Sequence, residues 1–258
     1  MDHLKRVADE FARQAQTFDK FAEMTDEQVA TRFGAALREA GRGDLLDVAC
    51  GPGVVTAAIA PTAASVVAFD ATEQMLEKAK TRCARAGLTN VAFKHGDAEN
   101  LPFEDARFDG VVTRLAIHHF AHPQRALDEM FRVLRPGGIA VIVDVVSSEV
   151  ATESNLQNAI ERLRDPSHVR MLPATALDSG LARAGFQIVE HSTWDKPREF
   201  EEWMGIVNDP DRTEPIRIVV RALAETGNHA GIGLAIQDSR IVFFHRWRQS
   251  RVRKPQGH

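Results

Sequence analysis

Between residues 44 and 146, short apolar runs alternate with amphipathic segments, and this alternation limits the fold more than any other feature of the chain. Such a pattern is typical of βαβ units, in which helices join the buried strands of a parallel sheet. Apolar residues at helical spacing predict helices at 73–86, where Thr72 is a candidate cap, and at 124–134. The predicted strands are LLDVA (45–49), SVVAF (65–69), VAF (91–93), FDGVVT (108–113) and IAVIVDVV (139–146).

Two further strands complete the expected sheet. They are predicted at 186–194 and 240–247, separated by a helical insertion at 199–235, and this order fits an antiparallel hairpin at the sheet edge. We therefore predict one α/β domain over 1–258, Rossmann-like, with a seven-stranded, mostly parallel sheet, helices on both faces and an antiparallel edge strand. Residues 1–40 are expected to form an N-terminal helical lid, and 249–258 a frayed tail.

The composition argues against several classes of function. The chain has 258 residues, 44% of them hydrophobic, and can bury one sizeable core. A net charge of -4 gives no global field to attract a polyanion, so no nucleic-acid partner is expected. The chain has neither a signal-like start nor about 18 consecutive apolar residues, so we expect a cytoplasmic protein without a membrane partner. Cys50 and Cys83 lie outside any Cys/His cluster, so no metal site is expected.

The run LLDVACGPG at 45–53 predicts a buried strand that enters a tight glycine turn and opens a helix. Glycine permits positive φ and lets a ligand approach the backbone, and the start of a helix offers free N–H groups. Alone, such a turn is a weak signal, because it also serves dinucleotides or chain geometry only.

Three carboxylates lie at the ends of successive strands and sharpen this interpretation. Asp47 precedes the turn, Asp70 ends the second strand and can accept both ribose hydroxyls, and Asp97 follows the third strand, where an adenine edge could be read. A dinucleotide-binding turn carries glycine at the position where this chain has Thr56, and Asp47 would repel a pyrophosphate. The expected ligand is therefore a phosphate-free nucleoside with a positive end, which describes S-adenosylmethionine.

Residues 44–146 resemble the class I methyltransferases, close to the ubiquinone and menaquinone C-methyltransferase-like branch of small-molecule enzymes. The resemblance implies that 41–146 binds S-adenosylmethionine and that 147–248 binds the substrate. Ala49 replaces the usual glycine of the family, and Phe18-Asp19 replaces its frequent Tyr-Asp pair. The segments that carry the resemblance are DVACGPG (47–53), VVAFD (66–70), HGDAENLPF (95–103), FDGVVTRLAIHHF (108–120) and EMFRVLRPGG (129–138). The implied cofactor contacts are Asp47, Ala49, Gly51, Gly53, Asp70, Ala71, Met75, Asp97, Ala98, Arg114 and Leu115.

Methyl transfer from a sulfonium is an in-line displacement, and many acceptors must also lose a proton. Histidine suits that task, and the chain contains no tyrosine that could perform it instead. The candidate catalytic residues are His118 and His119, after the fourth strand, and His168, after the fifth; each could equally line the pocket without moving a proton. The candidate substrate contacts are Phe18, Arg170, Trp194 and Trp203, although the aromatic residues could equally fill the core.

The sequence thus predicts methyl transfer from S-adenosylmethionine to an O, N or C nucleophile of a small molecule, such as a secondary metabolite or a quinone-like or aromatic compound, by a monomer or homodimer. A nicotinamide oxidoreductase is disfavoured by Thr56 and by the lack of a Tyr-x-x-x-Lys pair. An RNA methyltransferase is disfavoured because TRLA (113–116) stands where amino-methylating enzymes carry Asn/Asp-Pro-Pro-Tyr/Phe. A non-catalytic cofactor-binding module is a further alternative.

Overall fold

The computed structural model describes residues 3–14, 26–207 and 209–256. Strands and helices alternate through the first half, as the apolar pattern predicts. The strands are β1 (Asp44–Val48), β2 (Ser65–Asp70), β3 (Val91–His95), β4 (Phe108–Arg114), β5 (Leu134–Val146), β6 (Gln187–Glu199), β7 (Ala235–Gln237) and β8 (Arg240–Arg253). The helices are α1 (His3–Gln14), α2 (Asp26–Ala36), α3 (Val54–Ile59), α4 (Glu73–Arg85), α5 (Pro123–Val133), α6 (Ala151–Arg164), α7 (Ala174–Ala184), α8 (Phe200–Val207) and α9 (Pro210–Glu225).

The strands form one sheet in the order β3-β2-β1-β4-β5-β8-β6, and the short β7 pairs with β8. Strands β1 to β5 are parallel, whereas β8 runs antiparallel to both of its long neighbours, so the antiparallel strand lies just inside the edge strand β6. The chain order reverses between β1 and β4. In open parallel sheets, a ligand crevice forms outside the carboxyl ends of the strands at such a reversal.

Two apolar layers enclose the sheet, which confirms the expected α/β class with helices on both faces. On one face, α2 and α3 bury Phe33 and Ile59 against β1 and β5. On the other face, α5 and α7 bury Met130 and Leu181. Each fully buried side chain of this size contributes about 1.5–3 kcal/mol, so both layers hold the strand ends in place.

A third apolar cluster joins the inserted helices α8 and α9 to α6 and the start of β8. It buries Phe200, Trp203 and Phe243, and it fixes the insertion beside the carboxyl end of β5. No helix in the described ranges has the length and apolar character that spanning a membrane requires.

Two local predictions are wrong. Residues 249–253 are not a frayed tail but the end of β8, where Val252 is fully buried and Arg251 and Arg253 pair with Glu39. The charged side chains of Arg251 and Arg253 on alternate positions concealed a strand pattern of period two. Thr72 occupies the position before α4 without a side-chain capping bond; its side chain and its backbone N–H are both hydrogen-bonded to Asp70 instead. The run Thr25-Asp26-Glu27-Gln28 also resembles a capping box in the sequence, but Thr25 lies outside the described residues.

Candidate active site

A cavity of about 490 Å³ opens at the carboxyl ends of β1, β2 and β4. Helix α1 forms one wall, which includes Phe11 and Gln14, and α6 and α8 form the far end. Gln14 donates to Asp165 on the loop after α6, at 3.0 Å, and thereby fastens α1 over the cavity. Among the described residues of the N-terminal segment, α1 covers the site, whereas α2 packs against the sheet. Its role as a movable lid stays a prediction.

Asp70 holds the glycine turn in shape at one end of this cavity. Its carboxylate accepts from the backbone N–H of Gly51 at 2.8 Å and from that of Thr72 at 2.9 Å. Burial raises the pKa of Asp70 in spite of these two bonds. A carboxylate has about four lone-pair sites, so two bonds leave it able to accept from a ligand hydroxyl.

Asp47 lies deeper, inside β1, and is 1% exposed. Thr56 donates its hydroxyl to this carboxylate at 2.6 Å, which explains why the helix after the turn carries threonine where a dinucleotide site has glycine. Burial raises the pKa of Asp47 to about 7, and the negative charge of Asp70 adds to the effect. A cationic ligand group at this position would lower that pKa again.

Two non-glycine residues of the cavity wall have left-handed backbones, Ala49 with φ of 56° and Leu115 with φ of 54°. This conformation costs an L-residue about 1–2 kcal/mol, and such strain concentrates at functional sites. Gly53, with φ of 77°, serves packing instead, because a Cβ at this position would lie 2.8 Å from Cβ of Ala79 on α4.

Ten of the eleven cofactor contacts implied by the resemblance line this one cavity. Asp97 and Ala98 lie beside Asp70, and the Asp97 carboxylate accepts from the N–H of Glu99 at 2.9 Å. Gly53 is the exception, since it faces α4. The ten are Asp47, Ala49, Gly51, Asp70, Ala71, Met75, Asp97, Ala98, Arg114 and Leu115.

All three candidate catalytic histidines line the same cavity. His118 donates from Nδ1 to the carboxylate of Asp144, 2.5 Å away, and its backbone N–H donates to the same carboxylate at 3.0 Å. Burial alone would lower the pKa of His118, but the charge of Asp144 and this hydrogen bond outweigh it and raise the pKa above its ordinary value. His118 is therefore an oriented imidazole with increased basicity.

His119 and His168 are neutral near pH 7. Burial lowers the pKa of His119 to about 3, helped by the charge of His118. Burial likewise lowers the pKa of His168 to about 4, again with a contribution from His118. The ring centroids of His118 and His168 lie 5.6 Å apart, and those of His118 and His119 lie 4.2 Å apart. One basic and two neutral imidazoles therefore share a single wall.

The candidate substrate contacts that the structure describes differ in their position relative to the cavity. Trp203 lines the cavity and is buried beneath it. Arg170 is exposed and does not line the cavity, and its backbone N–H is bonded to the carbonyl of His118. Trp194 does not line the cavity either, and its ring lies beside Trp247 and under Arg32. Their contacts with the substrate stay predictions that the cavity geometry does not support. Phe18 lies outside the described residues.

Sequence reasoning missed Asp144, Ser167 and Asn158, the partners of the three histidines. Asp144 carried a usable signal, since a lone acid inside the apolar run 139–146 resembles the placement of Asp47. Asn158 lies on α6 and Ser167 in a polar loop, so only the tertiary contacts identify them. Within the described ranges, no group of three or more His, Cys, Asp or Glu side chains is arranged to hold a metal ion.

Comparisons with known proteins agree with this geometry. A family model described as a methyltransferase domain matches residues 46–142. YcgJ, an uncharacterized methyltransferase of Bacillus subtilis (strain 168), is 32% identical over 160 residues, which cover 62% of this chain and 63% of that protein. A demethylmenaquinone methyltransferase of Clavibacter sepedonicus is 35% identical over 165 residues, which cover 57% of this chain and 66% of that protein. The matches thus span slightly less than two thirds of the length of either relative.

The fold comparison covers more of the chain. The solved structure of a candidate methyltransferase from Bacillus halodurans C-125 is 31% identical to this chain, with a TM-score of 0.83. The match covers 88% of this chain and 99% of that one.

Proposed function

Since this chain belongs to the class I S-adenosylmethionine-dependent methyltransferases, we propose that it transfers a methyl group from this cofactor to a small-molecule acceptor held in the cavity. One observation carries the proposal: a single cavity joins a carboxylate end, formed by Asp47, Asp70 and Asp97, to a histidine end that contains the His118–Asp144 pair. The first end suits an adenosine with a cationic substituent, and the second suits an acceptor that must lose a proton.

The residues of the carboxylate end fit S-adenosylmethionine. An added Cβ at Gly51 would meet no atom within 4 Å, so a ligand can approach the backbone of the turn. Asp70 would accept the ribose hydroxyls, and Asp97 with the backbone beside it would take the adenine edge. Asp47 would offset the positive charge of the cofactor. When bound, S-adenosylmethionine supplies a methyl group on a cationic sulfur, which is open to in-line displacement.

The part that the protein performs in the reaction lies with His118. Asp144 accepts the Nδ1 proton, so Nε2 is the ring nitrogen that can take a proton from an acceptor hydroxyl or amine. Asp144 also accepts from the backbone N–H of Val145 at 2.7 Å, and it is 2% exposed, so its position is fixed by β5. We assign His118 as the general base and Asp144 as the residue that positions it.

The acceptor is proposed to be a secondary metabolite or a quinone-like or aromatic compound, with O, N or C as its nucleophile. The demethylmenaquinone relative gives weak support to a quinone-like compound. Phe11, Phe120 and Trp203 support an aromatic acceptor more directly, because they line the cavity beside the histidines.

Calorimetric titration with S-adenosylhomocysteine, compared with NAD, tests the cofactor assignment. We expect S-adenosylhomocysteine to bind and NAD to bind at least a hundredfold more weakly, because the carboxylates repel a pyrophosphate. The Asp70→Asn variant should lose at least tenfold in affinity, since its amide cannot accept from both the loop and the ribose. Asp128→Asn, on the exposed side of α5, is the matched control. Tighter binding of NAD, or unchanged binding by Asp70→Asn, would contradict the assignment.

A further inference from the structure

We propose that the histidine end of the cavity recognises a neutral aromatic acceptor with two adjacent hydroxyl groups, one of which is methylated while the other is held by a neutral imidazole. This inference rests on the proposed methyl transfer and names the acceptor class for that site. It follows from the hydrogen bonds of the three histidines. In each of them, one ring nitrogen is bonded to a buried partner and the other faces the cavity.

The partners establish that direction. His118 Nδ1 is bonded to Asp144 at 2.5 Å, His119 Nδ1 to Ser167 at 3.1 Å, and His168 Nε2 to Asn158 at 2.8 Å. The three partners are 2%, 0% and 2% exposed, and none of them lines the cavity, whereas all three histidines do. The two nitrogens of an imidazole lie on opposite sides of the ring. Nε2 of His118 and His119 and Nδ1 of His168 therefore face the cavity.

The hydrogen-bond network also fixes which nitrogens carry protons. Ser167 donates its hydroxyl to Asp165 at 2.5 Å, so it must accept from Nδ1–H of His119. The Asn158 amide oxygen accepts the N–H of Met171 at 2.7 Å, so it also accepts Nε2–H of His168.

Both of these imidazoles are neutral, because burial lowers the pKa of His119 to about 3 and that of His168 to about 4. Each therefore presents a lone pair to the cavity. Within the described part of the chain, no side chain or N–H donates to either lone pair. Both are thus available to a ligand donor.

The lone pairs of His119 and His168 limit the charge that a ligand can carry at this end of the cavity. Carboxylates and phosphates would face lone pairs at His119 and His168, which disfavours an anionic acceptor. A cationic amine would need a carboxylate of its own, but Glu161 is paired with His245 at 3.0 Å and with Arg164 at 3.4 Å. Asp165, the other carboxylate at this end, accepts from Gln14 and Ser167. These contacts favour a neutral molecule with hydroxyl donors.

Among the described residues at this end, Arg164 and Arg198 also hydrogen-bond within the protein, although Nε of Arg164 has no partner. Arg164 donates to the carbonyl of Trp203 at 3.1 Å, and Arg198 donates to Nδ1 of His245 at 3.1 Å. His245 thus uses both of its ring nitrogens within the protein, unlike His119 and His168. Recognition of the second hydroxyl is therefore assigned to His119 and His168.

In the proposed reaction, His118 acts on one of the two hydroxyls, and His119 or His168 binds the other. One hydroxyl loses its proton to Nε2 of His118; its oxygen forms the bond to the methyl carbon, while the methyl–sulfur bond breaks and leaves its electron pair on sulfur. The second hydroxyl donates to His119 or His168. Methylation removes one of two donors, so the monomethylated product is held less tightly than the diol, which favours its release.

The test is calorimetric titration of the full chain, saturated with S-adenosylhomocysteine, with catechol, phenol, 2-methoxyphenol and benzylamine. We expect catechol to bind about tenfold more tightly than phenol or 2-methoxyphenol, and benzylamine to bind most weakly. In the His119→Leu/His168→Leu double variant, the preference of catechol over phenol should fall below about twofold. Ser167 and Asn158 each keep another partner, so this variant is expected to fold.

His191→Leu, an exposed histidine on β6, is the control and should keep the tenfold preference. Affinity for S-adenosylhomocysteine should stay within about twofold in all three proteins, because both deleted imidazoles lie at the other end of the cavity. Equal binding of catechol and phenol, tighter binding of benzylamine, no binding of any of the four compounds, or an unchanged preference in the double variant would overturn the acceptor assignment. Loss of S-adenosylhomocysteine binding by the unmodified chain would instead refute the methyltransferase proposal.

Discussion

Replacing Asp47 by asparagine should stabilise the protein while weakening cofactor binding. The pKa of this carboxyl rises from 3.8 to about 7 in the folded protein, first because of burial and then because of Asp70. Above about pH 4 the unfolded chain has released a proton that the folded protein still holds. The free energy of unfolding therefore falls as the pH rises from about 4 to about 7. A difference of about three pK units corresponds to roughly 4 kcal/mol, an upper limit because the surroundings relax around a buried charge.

Urea unfolding of the wild type and of Asp47→Asn at about pH 5 and about pH 8 measures this effect. We expect the variant to gain about 1–3 kcal/mol more at the higher pH than at the lower one, since the wild-type carboxyl ionises between them. Its affinity for S-adenosylhomocysteine should fall at least tenfold, because the carboxylate that offsets the ligand ammonium is lost. An equal change in stability at both pH values, or a loss at about pH 8, would refute the argument.

Four further results are expected. Ala49→Gly should raise the free energy of unfolding by about 0.5–1 kcal/mol in urea unfolding. Glycine removes the backbone strain of the left-handed conformation, and this gain exceeds the cost of the added entropy of the unfolded chain. A loss of stability would contradict this. Gly53→Ala should cost about 2–3 kcal/mol through its contact with α4, seen as a lower melting temperature, and an unchanged one would contradict that packing. His118→Asn should lower kcat by about 10²–10⁴ with KM little changed. Asp144→Asn should lower kcat and move the acidic limb of the pH–rate profile to lower pH, because the carboxylate that raises the pKa of His118 is lost; a profile that keeps its midpoint would assign Asp144 a purely structural role.

The carboxylate end of the site could be predicted from sequence because it is local to strand ends. Asp47, Asp70 and Asp97 each follow or end an apolar run, and parallel strands bring such ends to one edge of a sheet. The glycine turn is likewise a local signal. Its details are tertiary, however: Gly53 is required by the neighbouring helix rather than by a ligand, and Thr72 is held by Asp70 instead of capping its helix.

The histidine end was predicted less completely because its residues come from distant parts of the chain. The three histidines were identified by residue type, but their partners on β5, on α6 and in the loop after it are visible only in the folded chain. The predicted substrate contacts Arg170 and Trp194 illustrate the opposite case. Each has suitable chemistry and a suitable place in the sequence, but the loop after α6 and the face of β6 direct them away from the cavity.

A crystal structure of the protein with S-adenosylhomocysteine tests the central claim most directly. The ribose hydroxyls should lie about 2.6–3.2 Å from the Asp70 carboxylate, with the sulfur turned toward the imidazole of His118. A nucleoside bound outside the cavity, or one whose sulfur points away from the histidines, would contradict the account.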